Sequence, residues 1–315
     1  MKEIGGYFGL EQFADNAMYS NLVAVNSARN ALVYLLRARR IEKLYIPYYL
    51  CDSVSGACDR EGFKYEYYNI GNDLLPVFDK ELEDGEYIYV VNYFGQLRDA
   101  DIIALKEKYV NMILDNVQAF FHKPIDGIDT VYSCRKFFGV SDGGYVATKA
   151  RLGAELELDV SMDRMKHVLG RFEGKSASDF YGDFRGNDDA FEGLELREMS
   201  RLTRNIMGAA DYSRVQKARE ENFACLHKLL GEENGMTVRL PEGPYVYPFY
   251  CKNGMEIKKA LAAKKIFVPT LWPEVIDMGQ KLEADLAMNI LPLPCDQRYG
   301  AEDMERIAEE LLLLL

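Results

Sequence analysis

The sequence predicts an α/β protein: a large domain built on a mostly parallel sheet, followed by a small C-terminal α/β domain. Three observations carry this. Apolar, β-branched runs alternate with amphipathic segments through the first half of the chain, as strands and covering helices do around a parallel sheet. A second, shorter alternation begins at Met236. With 315 residues, 48% apolar and 28% charged, the chain has the length of about two domains and an ordinary globular make-up.

Asn26 and Ser27 cap a helix reaching about Arg40, with Ala28, Ala31, Leu32, Leu35 and Leu36 on one face. Strand-like runs follow at 44–46, 63–68, 87–91, 110–114, 128–132 and 145–148. Residues 52–61 and 99–108 supply helices between them. Residues 174–193, rich in Gly, Ser and Asp, read as a loop. Residues 194–230 read as long helical material with a break near Gly208. A boundary near Gly235 divides a domain of residues 1–234 from one of residues 235–315. The second runs strand 245–251, helix 255–263, strand 266–268, helix 275–286, strand 290–293 and helix 301–314.

Composition excludes several classes. The net charge of −12 argues against a nucleic-acid partner, whose phosphates need clustered cations. The nearest basic cluster, Arg37, Arg39 and Arg40, ends a helix, where cations complement the dipole. The Cys residues at 51, 58, 134, 225, 251 and 295 form no CxxC pair and read as reduced, cytoplasmic thiols. With His only at 122, 167 and 227, no metal site is expected. The first twenty residues lack the long apolar core of a signal peptide, and residues 311–315 are far too few to span a membrane.

The chemistry converges on two residues. Asp115 and Lys136 each follow an apolar run, 110–114 and 128–132, and strand ends are where open α/β sheets bind ligands. A carboxylate and an amine in one crevice suit pyridoxal phosphate (PLP): the lysine forms the Schiff base and the acid keeps the pyridine nitrogen protonated. Asp115 has an alternative reading as a cap for a helix N-terminus. Arg135, beside Lys136, is expected to lower the amine's pKa. The helix start Ser27-Ala28-Arg29 suits a phosphate, to which Ser133 can add a hydroxyl and Arg29 or Arg135 charge.

These blocks, in this order, resemble the DegT/StrS family of PLP-dependent aminotransferases, fold type I, many of which act on nucleotide-linked keto-sugars. Residues 26–32 (NSARNAL) are similar to the family's phosphate-binding helix start, residues 46–49 (IPYY) to its strand exit, and residues 92–96 (NYFGQ) to its Tyr-x-Gly turn. Asp115 with Gln118 fits its acid-x-x-Gln pattern. Ser133, Lys136 and the pair Gly143-Gly144 correspond to the phosphate Ser, Schiff-base Lys and paired glycines. Residues 290–294 and the helix after them look like the family's last strand and helix.

The resemblance implies a cytoplasmic homodimer with sites at its interface, glutamate as amino donor and a keto-sugar as acceptor. The chain departs from the pattern at two places. Two residues separate Ser133 from Lys136 where common members have four. Cys51 stands where many place an aromatic over the ring, leaving Tyr48 or Tyr49 as stacking groups. His122, Trp272 and Asn187 are further candidates, Asn187 as a reach into a neighbouring subunit. Two other functions fit the same residues: a PLP- or sugar-nucleotide-binding protein without turnover, and a PLP lyase or aldolase.

Overall fold

A computed structural model describes residues 4–315; residues 1–3, the start of the stretch read for a signal peptide, lie outside them. The large sheet takes its strands from β1 (Val23–Val25), β2 (Lys43–Pro47), β3 (Lys64–Ile70), β4 (Pro76–Val77), β5 (Glu86–Val91), β6 (Met112–Asp115), β7 (Asp129–Ser133) and β8 (Gly144–Ala147). Their spatial order is β1-β8-β7-β6-β5-β2-β3-β4. The centre is parallel, β3-β2-β5-β6-β7, and both edges turn antiparallel.

The strand sequences explain this order. Every residue of β6 (MILD) and β7 (DTVYS) is buried, as central strands covered on both faces require. Toward the edge, β3 (KYEYYNI) alternates exposed and half-buried positions before its last turn inward. The expected six strands of the first half are all present. The structure adds β1 and β4, too short to leave a periodic signal. Registers set Val91 opposite Asp115 and Asp115 opposite Val131, so β5 and β6 end together and β7 runs two residues further.

Helices α1 (Ala28–Ala38), α2 (Asp52–Glu61) and α3 (Asp99–Lys108) fall where the sequence puts them. Next come α4 (Lys166–Phe172), α5 (Tyr181–Ala190), α6 (Arg201–Gly208) and α7 (Tyr212–Leu230). Here the loop expected over 174–193 is corrected, because half of it is α5. Its glycines 182 and 186 face open space, and the turn before it wedges Phe180 so close to Gly170 that a Cβ there would lie 2.3 Å from the ring. The long helix expected over 194–230 starts only at the Ser200 cap, since Glu198 bridges to Val25 and Leu158. It breaks between Gly208 and the Asp211 cap of α7.

The C-terminal part holds β9 (Tyr247–Tyr250), α8 (Gly254–Ala263), α9 (Lys281–Asn289), β10 (Ile290–Leu293) and α10 (Ala301–Leu312). β9 and β10 form an antiparallel pair. The strand expected at 266–268 is absent: Ile266 N–H returns to Leu261 O and closes α8. The helix expected over 275–286 divides into a 3-10 turn, Pro273–Met278, and α9. Gly279 lies between them at φ +79°, a conformation glycine adopts at little cost. A second apolar core joins Phe223, Leu226 and Leu230 of α7 to β9, β10, α8 and α10. Trp272, Val275 and Leu286 pack instead into the large core.

Candidate active site

One cavity of about 80 Å³ opens where β5, β6 and β7 end. Asp115, Gln118, Lys136, Ala28, Arg29, Cys51 and Trp272 line it, with Tyr89 and Leu32 among the apolar walls. Asp115 is the last residue of β6 and buried. It accepts one hydrogen bond, 2.7 Å from the Val117 N–H. Burial pushes its carboxyl up to about 6; the Val117 N–H, the Tyr89 phenol and the Lys136 charge pull the other way. The capping reading therefore describes one oxygen of the carboxylate, within a turn and not at a helix.

Lys136 sits in the turn after β7, where the Phe137 and Phe138 N–H groups both close on Cys134 O. Among the described residues it forms no hydrogen bond or ion pair, and its Nζ lies 5.1 Å from the centre of the Tyr245 ring. Its amine is shifted upward, correcting the expectation that Arg135 would lower it. Burial is the largest single influence and acts downward, but Tyr245, Cys51 and Asp115 together outweigh it. Arg135 does act downward, weakly, because Asp188 holds it at 2.7 Å and it stacks 4.5 Å over Phe191. Arg135 does not line the cavity.

Gln118 is buried, and its Oε1 accepts from the Phe94 N–H at 2.8 Å. Phe94 adopts φ 55° to make that turn. This leaves Gln118 Nε2 buried with no partner at the cavity wall. Arg29 Nε is likewise buried and unpartnered, and burial lowers the guanidinium's pKa. Unsatisfied buried donors are rare and call for a reason; here two of them line one cavity.

The helix start is built for close approach. Ser27 Oγ accepts from the Asn30 N–H at 3.0 Å, leaving the first backbone N–H groups of α1 without intrahelical acceptors. A Cβ on Gly144 would lie 2.8 Å from Ala28 N, so glycine lets β8 run against this end. Gly143, at φ +113°, brings its own backbone within reach of Asn26 O, 2.8 Å from its N–H. Ser27 and Ser133 are buried beside the cavity and not in its lining; Ser133 pairs with Gly144 across the ladder.

The remaining candidates separate. Tyr49 is fully buried, stacked 5.3 Å from Tyr93 and set edge-on to Trp272 at 5.0 Å, so it backs the wall without forming it. Tyr48 stacks on Tyr67 at 4.8 Å. Trp272 does reach the cavity. Asn187 is buried on α5 and donates from Nδ2 to Ser141 O at 3.0 Å, while its Oδ1 is buried without a partner among the described residues. His122 Nε2 lies 3.0 Å from Asp99, away from the cavity. Ligand atoms of Cys51, Asp52 and Glu274 fall within 4.8 Å of one another. Glu274 there accepts from the Asp52 N–H at 3.1 Å, and burial pushes the Cys51 thiol up, so the set forms a hydrogen-bonded rim.

Sequence reasoning missed Tyr89 and Tyr245. Tyr89 lies within an apolar strand and reads as core, and Tyr245 comes from beyond the boundary near Gly235. Neither carries a local signal.

No protein-family model matches the chain, and no curated protein does. Solved structures are similar. Spr1654 of Streptococcus pneumoniae, provisionally named a sugar aminotransferase and solved in its PLP form, is 14% identical over 92% of this chain and 86% of its own, with a TM-score of 0.65. A DegT DnrJ EryC1 StrS aminotransferase from Brucella abortus is 16% identical over 93% and 85%, at 0.60. PseC of Helicobacter pylori, an aminotransferase of pseudoaminic acid biosynthesis, is 14% identical over 93% and 86%, at 0.63. The chain thus has the fold of the sugar aminotransferases, the type I fold of PLP-dependent enzymes.

Proposed function

We propose that this chain is a PLP-dependent aminotransferase of the DegT/StrS type, moving an amino group from a donor to a ketone on a sugar. One observation carries the reading: a lysine amine without a partner and a buried carboxylate share one cavity at the ends of parallel strands. The residues fit the cofactor. Gln118 Nε2 and Arg29 Nε are buried donors that await acceptors. The start of α1 offers backbone N–H groups to a phosphate, with Arg29 adding charge. Asp115 presents its carboxylate at the cavity wall.

Bound there, PLP supplies an aldehyde that condenses with amines and a ring that accepts electrons. Lys136 Nζ is the amine that holds it. Once free of the cofactor, the same Nζ would be placed to give and take protons at this end of the cavity as general acid and base. Asp115 would keep a pyridine nitrogen protonated. Its carboxyl, about 6 with Lys136 beside it, is mostly ionised at neutral pH, and a pyridinium would lower it further. Tyr89, Leu32 and Trp272 keep water from the cavity wall.

Glutamate as donor and a nucleotide-linked keto-sugar as acceptor follow from the family resemblance, and the similarity to Spr1654, named as a sugar aminotransferase, supports a sugar. A homodimer follows from the same resemblance; Tyr7, Phe8 and Phe172, 99%, 95% and 87% exposed, are apolar surface that a second subunit would cover. A cytoplasmic location is supported by six cysteines without a disulfide, and no helix among the described residues is long and apolar enough to cross a membrane. The domain division at 234/235 is kept as part of the proposal.

Visible absorption tests the reading. With PLP the protein should turn yellow, and glutamate should bleach the band as the amino group moves to the cofactor. A band that ignores glutamate points to a binder, or to a lyase or aldolase. No band overturns the proposal.

A further inference from the structure

Arg219 is a buried cation that no carboxylate neutralises. It lies on α7, 2% exposed, and forms no ion pair among the described residues. The nearby Asp296 is engaged by both arms of Arg298, at 2.7 and 2.8 Å. Arg219 spends its donors on neutral oxygens: Gln297 Oε1 at 2.7 Å, Pro244 O at 2.8 Å, and Tyr245 O and Phe137 O at 3.3 Å. It also lies 4.6 Å over the Phe137 ring. Gln297 completes the set, donating from Nε2 to Phe137 O at 2.7 Å. A buried guanidinium is costly, so its choice of partners is informative.

Those partners are the two segments that hold the Lys136 amine. Phe137 follows Lys136 in the turn, and Tyr245 carries the ring under Nζ. Among the described residues no hydrogen bond joins the two segments directly. We propose that Arg219, braced by Gln297, is a positioning residue that clamps the Lys136 turn to the Tyr245 segment and so seats the amine over that ring. The proposal rests on Lys136 being the reactive amine of the site. Only a planar fork reaches both carbonyls at once; one ammonium cannot span four acceptors.

The test is the pH midpoint at which Lys136 reacts with an amine-modifying reagent in the cofactor-free protein, read by peptide mass spectrometry. Loss of the ring contact removes a stabiliser of the ammonium, so Arg219→Met should lower the midpoint by about half a pH unit. Arg219→Lys should lower it similarly, and Gln297→Leu, which leaves the guanidinium in place, by less. Neither Arg219 change should act further once Tyr245→Leu has removed the ring. Lys258→Met is the control for lost stability: Lys258 is another buried cation on carbonyls, Ala287 O at 3.1 Å and Met288 O at 3.3 Å, and should leave the midpoint alone.

A purely electrostatic role is marked by an upward shift in Arg219→Met and none in Arg219→Lys, and would overturn the clamp. So would shifts no larger than the control's, or shifts that persist without the Tyr245 ring. Borohydride trapping of PLP on wild-type protein separates the two levels. An adduct at a lysine other than 136 sinks the functional reading, whereas the cofactor-free midpoints judge the clamp by themselves.

Discussion

Asp115 and Asp142 are buried carboxylates on either side of Lys136 in the sequence, and the fold treats them oppositely. Asp142 is fully buried and fully served: it accepts from the Ser200 N–H and the Ser200 hydroxyl, each at 2.9 Å, and from the Thr203 hydroxyl. It faces the start of α6, where the helix dipole favours a negative charge. Asp115 accepts one backbone N–H and turns its remaining capacity toward a cavity. A satisfied carboxylate anchors one segment to another. An under-satisfied one, beside a lysine and two orphaned donors, is arranged for something that binds.

The largest effect that would break this contrast is at Lys136 itself. Lys136→Ala should cut transamination roughly 10²–10⁴-fold through lost proton transfer alone and abolish the borohydride-trapped adduct; unchanged turnover in a spectrophotometric assay would refute the role. Next comes the anchor. Asp142→Ala strands the Ser200 N–H and the buried Thr203 hydroxyl, the Ser200 hydroxyl keeping Ser161 Oγ at 2.7 Å, and should lower stability by about 2–3 kcal/mol in a urea melt.

Asp115→Asn should do the reverse at neutral pH. Between about pH 4 and pH 6 the folded chain keeps a proton on Asp115 that the unfolded chain has released, since the folded value is about 6 and the unfolded one 3.8. Stability therefore falls as pH rises through that window, and the full cost, about 3 kcal/mol at most, is present above it. Cofactor-free Asp115→Asn should lack this decline and melt higher than wild type at pH 7, while losing activity. An Asn variant that is both active and no more stable would show the carboxylate to be merely a cap. The smallest effect is expected at Gln118. Gln118→Leu removes an unpartnered donor along with one bond to the Phe94 N–H, so its melting point should move little while PLP binds several-fold more weakly. Equal affinity would sink its place in the site.

How far the sequence was legible follows the same division. Strands β2, β3 and β5–β8 and helices α1–α3 were readable because each buries a regular apolar pattern. Asp115 and Lys136 were readable because they follow such patterns at strand exits, whereas Gln118 came from the family resemblance alone. Residues 174–193 misled because Gly and Asp signal loops locally, whereas α5 is held by packing on α4 and by Asn187 on Ser141 O. Trp272 reached the cavity as expected, but Tyr89 looked like any core aromatic. Arg219 was invisible: its acceptor Phe137 O lies 82 residues away, and a lone Arg on an amphipathic helix reads as surface.

The most direct measurement is a peptide map of the protein reduced with borohydride after incubation with PLP. An adduct on Lys136, lost in Lys136→Ala and retained in Asp142→Asn, is the expected result. An adduct on any other lysine, or none on the folded protein, would contradict the assignment of this cavity.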